Sequence, residues 1–150
     1  MKKTIASLAL LLATVLSNSA LANECEIEIT GNDAMQFDKS ELTVPASCTE
    51  VTLTLTHIGG MTKGVMGHNW LLTTSANFQP VATAGMAAGA DKDYVPEGDE
   101  RVLAHTKLIG GGEKDSITFS VDGWDKSGAY TYFCSFPGHF AVMKGALKFV

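Results

Sequence analysis

Residues 130–143 read Tyr-Thr-Tyr-Phe-Cys-Ser-Phe-Pro-Gly-His-Phe-Ala-Val-Met. This stretch offers a thiol at Cys134, an imidazole at His139 and a thioether at Met143, in the spacing Cys-x4-His-x3-Met. All three are soft or borderline donors for a metal ion. Cys134 ends a strand-like run from Ala129 to Phe133, so its backbone is held by pairing. Pro137-Gly138 then turns the chain so that His139 faces back toward the thiol. No carboxylate lies between Cys134 and Met143, which argues against a hard-cation site.

A second imidazole, His68, ends the upstream run Val65-Met66-Gly67-His68-Asn69-Trp70, which suits a neighbouring strand. Two imidazoles, one thiolate and a more distant thioether describe a trigonal copper site with a weak axial ligand. Thiolate and thioether favour Cu(I), while imidazole accepts either oxidation state. Taken singly, Cys134 reads as a small buried residue and Met143 as core filler. The combination at this spacing, with Gly67-His68-Asn69 upstream, favours copper.

The chain around these residues reads mostly as β. Glu24 to Thr30, Val51 to Thr56 and Ser116 to Val121 alternate polar and apolar residues, the period of a half-buried strand. Trp70-Leu71-Leu72 is continuously apolar and fits a buried strand, and Ala146 to Val150 closes the chain as another. Gly, Asp and Pro clusters separate the runs. Short strands with such turns predict an all-β sandwich and no parallel α/β fold. The Ala-rich stretch Ser75 to Ala90, with Pro80 near its first turn, is the helix candidate. Asp91 to Glu100 is a charged, turn-rich surface loop.

The chain of 150 residues suits one domain behind a leader. Lys2 and Lys3 form a charged region, Ile5 to Leu16 an apolar one, and Ala20-Leu21-Ala22 an Ala-x-Ala cleavage site. The apolar run is short for a membrane span, and Ala22-Asn23-Glu24 before Cys25 is not a lipid-attachment context. The expectation is a signal peptide over 1–22, no membrane anchor, and a single exported, periplasmic domain over 23–150. Removing Lys2 and Lys3 takes 11 basic side chains to 9 against 16 acidic ones, a formal net charge of −7. That balance, with no basic stripe, excludes nucleic acid as a partner.

The chain resembles the azurins, bacterial blue-copper electron carriers of the cupredoxin family. The likeness runs from about Glu24 to Val150. It is carried by Val65 to Trp70, by Arg101 with Ala104-His105-Thr106-Lys107-Leu108-Ile109-Gly110, by Gly112-Glu113-Lys114-Asp115-Ser116 and by Phe133-Cys134-Ser135-Phe136-Pro137-Gly138-His139. Plastocyanin-like and amicyanin-like proteins have a shorter Cys-to-His interval, so the x4, x3 pattern is azurin-like. The resemblance implies a Greek-key β-sandwich with one helical insertion near residues 75–90. It also implies one type 1 copper ion held by His68, Cys134 and His139, with Met143 and the Gly67 carbonyl as weak axial neighbours.

The resemblance extends to the surroundings of the site. The Asn69 side chain crosses to the Cys134 loop, against the plain alternative of an Asx turn within its own loop. The Phe136 amide is a donor to the Cys134 sulfur. The three cysteines all lie beyond the leader, where an oxidising compartment allows a disulfide and an odd count leaves one thiol. Cys25 and Cys48 lie away from the motif and form the expected pair, and azurins carry the same bridge. The residue reading makes His57 a histidine hydrogen-bonded at a strand end. The resemblance makes it a partly buried group near the site, where protonation couples to redox state. His105 reads as a surface residue, Trp70 as core and Trp124 as a turn residue.

Electron exchange needs a port. His139 is on a loop, where its ring edge can approach the surface, and Met35, Met61, Met66, Met86, Phe136, Pro137 and Phe140 form the expected apolar docking patch around it. For Met66 and Met86 core and patch readings are balanced. Such a patch suits brief, low-specificity contacts. Two features depart from the azurin pattern. Phe140 stands where a small polar residue is usual, and enlarges the patch or shields the metal. Ile58-Gly59-Gly60-Met61-Thr62 lacks the customary prolines, which loosens the loop near His57.

The function expected is therefore that of a monomeric, periplasmic electron-transfer protein cycling Cu(I)/Cu(II), with no bond chemistry of its own. Its partners would be redox proteins such as a c-type cytochrome and a terminal reductase or peroxidase. Two readings compete with it. One is a thiol enzyme using Cys134 and His139, which leaves Met143 and His68 without a role. The other is a copper- or zinc-binding store or adaptor without redox shuttling, since zinc accepts the same ligands.

Overall fold

The structure, a computed structural model, describes residues 24–150; the leader expected over 1–22 lies outside the described residues. Strands β1 (Glu26–Asn32), β4 (Glu50–His57) and β7 (Lys114–Ser120) form one sheet with the short β2 (Gln36–Phe37), in the order β2-β1-β4-β7. The second sheet has the order β3-β9-β8-β5-β6, from β3 (Glu41–Val44), β5 (Leu71–Thr74), β6 (Ala104–His105), β8 (Tyr130–Phe133) and β9 (Lys144–Phe149). Each sheet carries one parallel pair, β1 with β4 and β3 with β9. The all-β sandwich and its helical insertion agree with the sequence. A four-residue helix α1 (Lys63–Met66) is an addition to it, and α2 (Phe78–Ala88) is the expected insertion.

Alternation decides which side chains enter the sandwich. Ile27 and Ile29 of β1 and Val51, Leu53 and Leu55 of β4 point inward, and the positions between them are an exposed Glu and half-buried Thr. Each such aliphatic side chain contributes about 1.5–3 kcal/mol on burial. These residues join Leu42, Val44, Trp70, Leu72, Tyr132 and Leu147 in the main core. The uninterrupted run Trp70-Leu71-Leu72 has a structural cause. Leu72 faces the main core, while Leu71 faces a second cluster with Val81, Ala82, Val95 and Phe133 beneath α2. A strand covered on both faces has no polar side to alternate with. Trp124 follows a turn, as expected, and its ring stacks on Tyr130 at 5.3 Å between centroids, against the core.

Gly85 marks the closest approach of α2 to the sandwich. A Cβ there would lie 2.5 Å from the Tyr94 carbonyl oxygen and 3.3 Å from Ser135 Cβ. Gly to Ala within a helix ordinarily stabilises by about 1 kcal/mol. Here Gly85→Ala is expected to destabilise by about 1–3 kcal/mol through overpacking, and urea denaturation reads the sign directly.

The antiparallel register places the donors at one end of the second sheet. Leu71 pairs with Phe133, and Phe133 with Lys144. The start of β5, the end of β8 and the start of β9 therefore coincide, and His68, Cys134 and Met143 lie just beyond them. Gly31 and His57, paired in the first sheet, close the same end from the other side.

Candidate metal centre

Local structure aims each donor. The backbone of His68 is pinned to Ile109 by two hydrogen bonds, its N–H donating at 2.9 Å and its carbonyl accepting at 2.8 Å. Cys134 N–H donates to the Met143 carbonyl (3.0 Å), extending the β8–β9 ladder by one step. Between them Gly138 takes a left-handed conformation (φ 84°) that the missing Cβ permits, and a 3-10 turn over His139–Ala141 returns the chain. Met143 N–H closes that turn on the His139 carbonyl (2.7 Å).

The result brings together three donors from distant parts of the chain. The donor atoms of His68, Cys134 and His139 all lie within 4.8 Å of one another. Cys134 Sγ is 3.6 Å from His139 Nδ1 and 3.9 Å from His68 Nδ1. An ion about 2.0 Å from each nitrogen and about 2.3 Å from sulfur, with ligand angles near trigonal, needs N···S separations of roughly 3.5–3.7 Å. The two sulfur–nitrogen separations are therefore within a few tenths of an ångström of what one shared ion needs, and all three donor atoms lie within 4.8 Å of one another. The Gly67 carbonyl oxygen is 3.9 Å from Sγ. Gly67 is glycine for a reason the sequence does not reveal, because a Cβ would collide with the Lys63 carbonyl oxygen. Met143 is fully buried, and its Cε lies 2.8 Å from where a Cβ on Gly31 would stand. His68 Cδ2 is equally close to that point, so Gly31 is the floor of the centre.

The state of each ligand follows from its neighbours. His68 Nε2 donates to the Asn32 carbonyl at 2.8 Å. That bond holds the proton on Nε2 and leaves the Nδ1 lone pair facing Cys134, the tautomer a metal requires. Burial first, then the neighbouring His57 and His139, push the His68 pKa down to about 4, against the upward pull of the Asn32 carbonyl. Burial and His57 lower His139 as well. Burial pushes the Cys134 thiol up to about 12, opposed by the backbone amides of Asn69 and Phe136 aimed at the sulfur. A nucleophilic cysteine needs a depressed pKa and access. Cys134 has neither, which argues against the thiol-enzyme reading.

Asn69 and Ser135, both fully buried, lock the two ligand loops together. The Ser135 N–H donates to Asn69 Oδ1 (2.8 Å), and Asn69 Nδ2 donates to the Ser135 hydroxyl (2.8 Å) and to the Asp93 carbonyl (2.7 Å). The Asn69 side chain thus crosses between loops and forms no Asx turn. The Asn69 amide toward sulfur, the Asn32 carbonyl, Gly31 and Ser135 are contributors that the sequence reading missed. Backbone groups carry no residue signature, so only Gly31, a glycine on the inward side of a strand, left any signal.

His57 differs from the hydrogen-bonded strand-end histidine read from the residues. It is fully buried, with its ring centroid 4.3 Å from that of His68, and neither ring nitrogen reaches a hydrogen-bond partner in the protein. Alternation is the cause: Val51, Leu53 and Leu55 point inward along β4, and His57 is the next position. Its nearest carboxylate, Asp33, stays 3.6 Å away, because it accepts from the Gly60 and Met61 amides. Those bonds tether the proline-free loop to the β1–β2 turn. His105 is exposed on β6, its Nδ1 beside the Thr106 carbonyl, and does not belong to the donor cluster.

The residues expected around the port are placed unequally. Met35, Met61, Met86 and Pro137 are exposed, Met66 and Phe136 are half-buried, and none of the four methionines belongs to a core cluster. His139 is only 2% exposed, and the Phe136 ring lies against its own, 4.6 Å between centroids. Phe140 is half-buried and packs against the cluster beneath α2, near Phe78 and Phe133. Ile58, Val65 and Val142 are more exposed than any methionine among the described residues and were not foreseen. The disulfide joins Cys25 to Cys48, and Cys134 is the free cysteine among the described residues.

Comparison with known proteins agrees with this geometry. The family profile described as copper binding proteins, plastocyanin/azurin family, matches residues 23–150. The chain is 58% identical over 127 residues to azurin-1 of Alcaligenes xylosoxydans xylosoxydans, covering 85% of this chain and 98% of that protein. It is 52% identical over 147 residues to the azurin of Pseudomonas aeruginosa, covering 98% of each. Among solved structures, an azurin (Az-iso2) from Methylomonas sp. strain J superposes with a TM-score of 0.81 at 50% identity, covering 84% of this chain and 98% of that one.

Proposed function

The chain belongs to the plastocyanin/azurin family of copper-binding proteins, and on that premise we propose that His68, Cys134 and His139 would hold one copper ion, with Met143 and the Gly67 carbonyl as weaker neighbours. The protein is a blue-copper electron-transfer protein. One observation supports the ligand assignment: two imidazole Nδ1 atoms and a thiol sulfur, all buried, converge, with each nitrogen 3.6–3.9 Å from the sulfur and all three atoms within 4.8 Å of one another. Bound there, copper supplies a one-electron Cu(II)/Cu(I) couple.

The protein's own contribution is to keep the donors still and dry. The Asn32 carbonyl fixes the His68 ring, the Asn69–Ser135 pair fixes the two loops, and the ladder step at Met143 fixes the sulfur. A frame that fits both oxidation states leaves little to rearrange on electron transfer. The burial of the donors keeps substrate out, and the protein performs no bond chemistry. The electron passes at the His139 edge, through the exposed apolar residues Met35, Met61, Pro137, Ile58, Val65 and Val142, each within a few residues of a group lining the centre, together with Met86 on α2. Redox partners of the c-type cytochrome and reductase or peroxidase classes fit such a transient contact. The protein works as an exported, periplasmic monomer.

Adding Cu(II) to the metal-free protein is expected to give an intense blue band that bleaches on reduction and is absent in Cys134→Ser. A colourless protein, or a band indifferent to Cys134, would refute copper–thiolate ligation. A blue protein that exchanges electrons slowly with a reduced c-type cytochrome would instead be a metal store.

A further inference from the structure

Two consecutive residues that are not glycine, Asp93 (φ 52°) and Tyr94 (φ 57°), occupy the left-handed region. Asp tolerates it, but a bulky aromatic residue there is an outlier that persists only when its surroundings enforce it. Both carbonyls of this pair are used by the buried clamp between the ligand loops. Asp93 O accepts from Asn69 Nδ2 at 2.7 Å, and Tyr94 O accepts from the Ser135 hydroxyl at 2.8 Å. The pair is held from outside as well. Tyr94 N–H donates to the Gly89 carbonyl (2.9 Å), and Lys63 Nζ lies 3.4 Å from the Asp93 carboxylate. Gly85 lets α2 lie directly on the Tyr94 carbonyl. The Tyr94 ring meets Phe136 edge-on at 5.3 Å, and Phe136 in turn covers His139.

We infer that the Asp93–Tyr94 pair is a positioning element of the metal centre: its left-handed backbone aims two adjacent carbonyls at Asn69 and Ser135 and so holds the ligand loops in register. The reason is geometric. Asn69 and Ser135 are buried, so every polar atom between them needs a partner. The bonds between the two residues leave one Asn69 N–H and the Ser135 hydroxyl hydrogen to be accepted. Two carbonyls from one short segment satisfy both, and the left-handed pair supplies them. Tyr94 and Asp93 are thereby positioning residues that touch no donor atom themselves. This deepens the copper reading, on which its consequence for affinity rests.

The test separates backbone from side chain. Asp93→Val and Tyr94→Val place a β-branched residue where positive φ costs most, whereas Asp93→Asn and Tyr94→Asn accept that conformation. In the metal-free protein, hydrogen exchange at the Ser135 amide is expected to be at least about tenfold faster in the Val variants and near wild type in the Asn variants. Cu(II) affinity, measured by chelator competition, is expected to fall about 10–100-fold in the Val variants. Equal effects of Tyr94→Asn and Tyr94→Val would assign the role to the ring and overturn the proposal, as would Val variants unchanged in both measurements. Should a Val variant fail to fold, Tyr94→Ala, with a smaller penalty, takes its place under the same criteria. The exchange measurement needs no metal, so failure of the copper reading would show separately, as a missing blue band in the wild type.

Discussion

The Cu(II) affinity of the metal-free protein is expected to rise about tenfold per pH unit between roughly pH 6.5 and 9. The proton responsible belongs to Cys134. Burial pushes this thiol up to about 12, so at neutral pH it is protonated and must lose one proton to become a ligand. The imidazoles contribute nothing in this range, because burial lowers His139 and brings His68 down to about 4, and both already present lone pairs. One proton is therefore released per ion bound, measurable as the buffer dependence of the binding enthalpy. A release of two or more protons at pH 7 would mean that the imidazoles are protonated in the metal-free fold. The same shifts set the stability of the metal-free protein. Between about pH 6.5 and 4 the unfolded chain protonates His68 while the folded one refuses, so stability falls as the solution is acidified. Above about pH 9 the unfolded chain ionises Cys134 while the folded one retains its proton, so stability falls again toward 12. Urea midpoints across pH are expected to trace a plateau between these limits. Burial raises the Tyr132 and Tyr130 phenols as well, so Cys134→Ala is expected to remove the part of the alkaline descent that begins near pH 9 and to leave the part that begins near pH 10.

Replacing both Cys25 and Cys48 with Ala is expected to lower stability by about 3 kcal/mol and the melting temperature by roughly 10 °C, with the blue band unchanged. The bridge closes a loop of sequence separation 23. In the folded chain it adds little, because β1 and β4 are already paired in parallel from Glu26 and Thr52 onward, and Thr52 N–H donates to the Cys25 carbonyl. Its effect lies in the unfolded ensemble, which a cross-link restricts. It also consumes the two thiols that would otherwise compete with Cys134 for oxidants and metal. Calorimetry of the double variant measures the first effect. A loss well below 1 kcal/mol would show that residual structure in the unfolded chain already holds these segments together.

Much of the site was legible because metal chemistry demands particular side chains. Cys134, His139 and Met143 share one short loop, and their spacing survives as sequence. His68 was legible only as a partner from a strand beyond it, and the β5–β8 register is what brings it within reach. His57 shows the limit from the other side. Its burial follows from the same alternation that placed Val51, Leu53 and Leu55, so the signal was present. A histidine at a strand end nonetheless invites a hydrogen-bonded reading, and packing against His68 overrides it. Phe140 adds a contact the sequence did not show: beside a ligand it suggested a docking or shielding role, and its ring also packs partly against the cluster beneath α2.

By itself the sequence determined the class of fold, through the two-residue period of its strands, and the chemistry of the centre, through donors that no ordinary core requires. Tertiary structure alone decided which atoms complete that centre. The Asn32 carbonyl that sets the His68 tautomer, the amides of Asn69 and Phe136 aimed at sulfur, and the carbonyls of Asp93 and Tyr94 are backbone groups, which every residue carries. Gly31, Gly67 and Gly85 are glycines because of what a Cβ would strike across the fold. Side-chain chemistry is written in the order of residues, whereas the aim of a backbone group and the space beside a missing Cβ exist only once distant segments have packed.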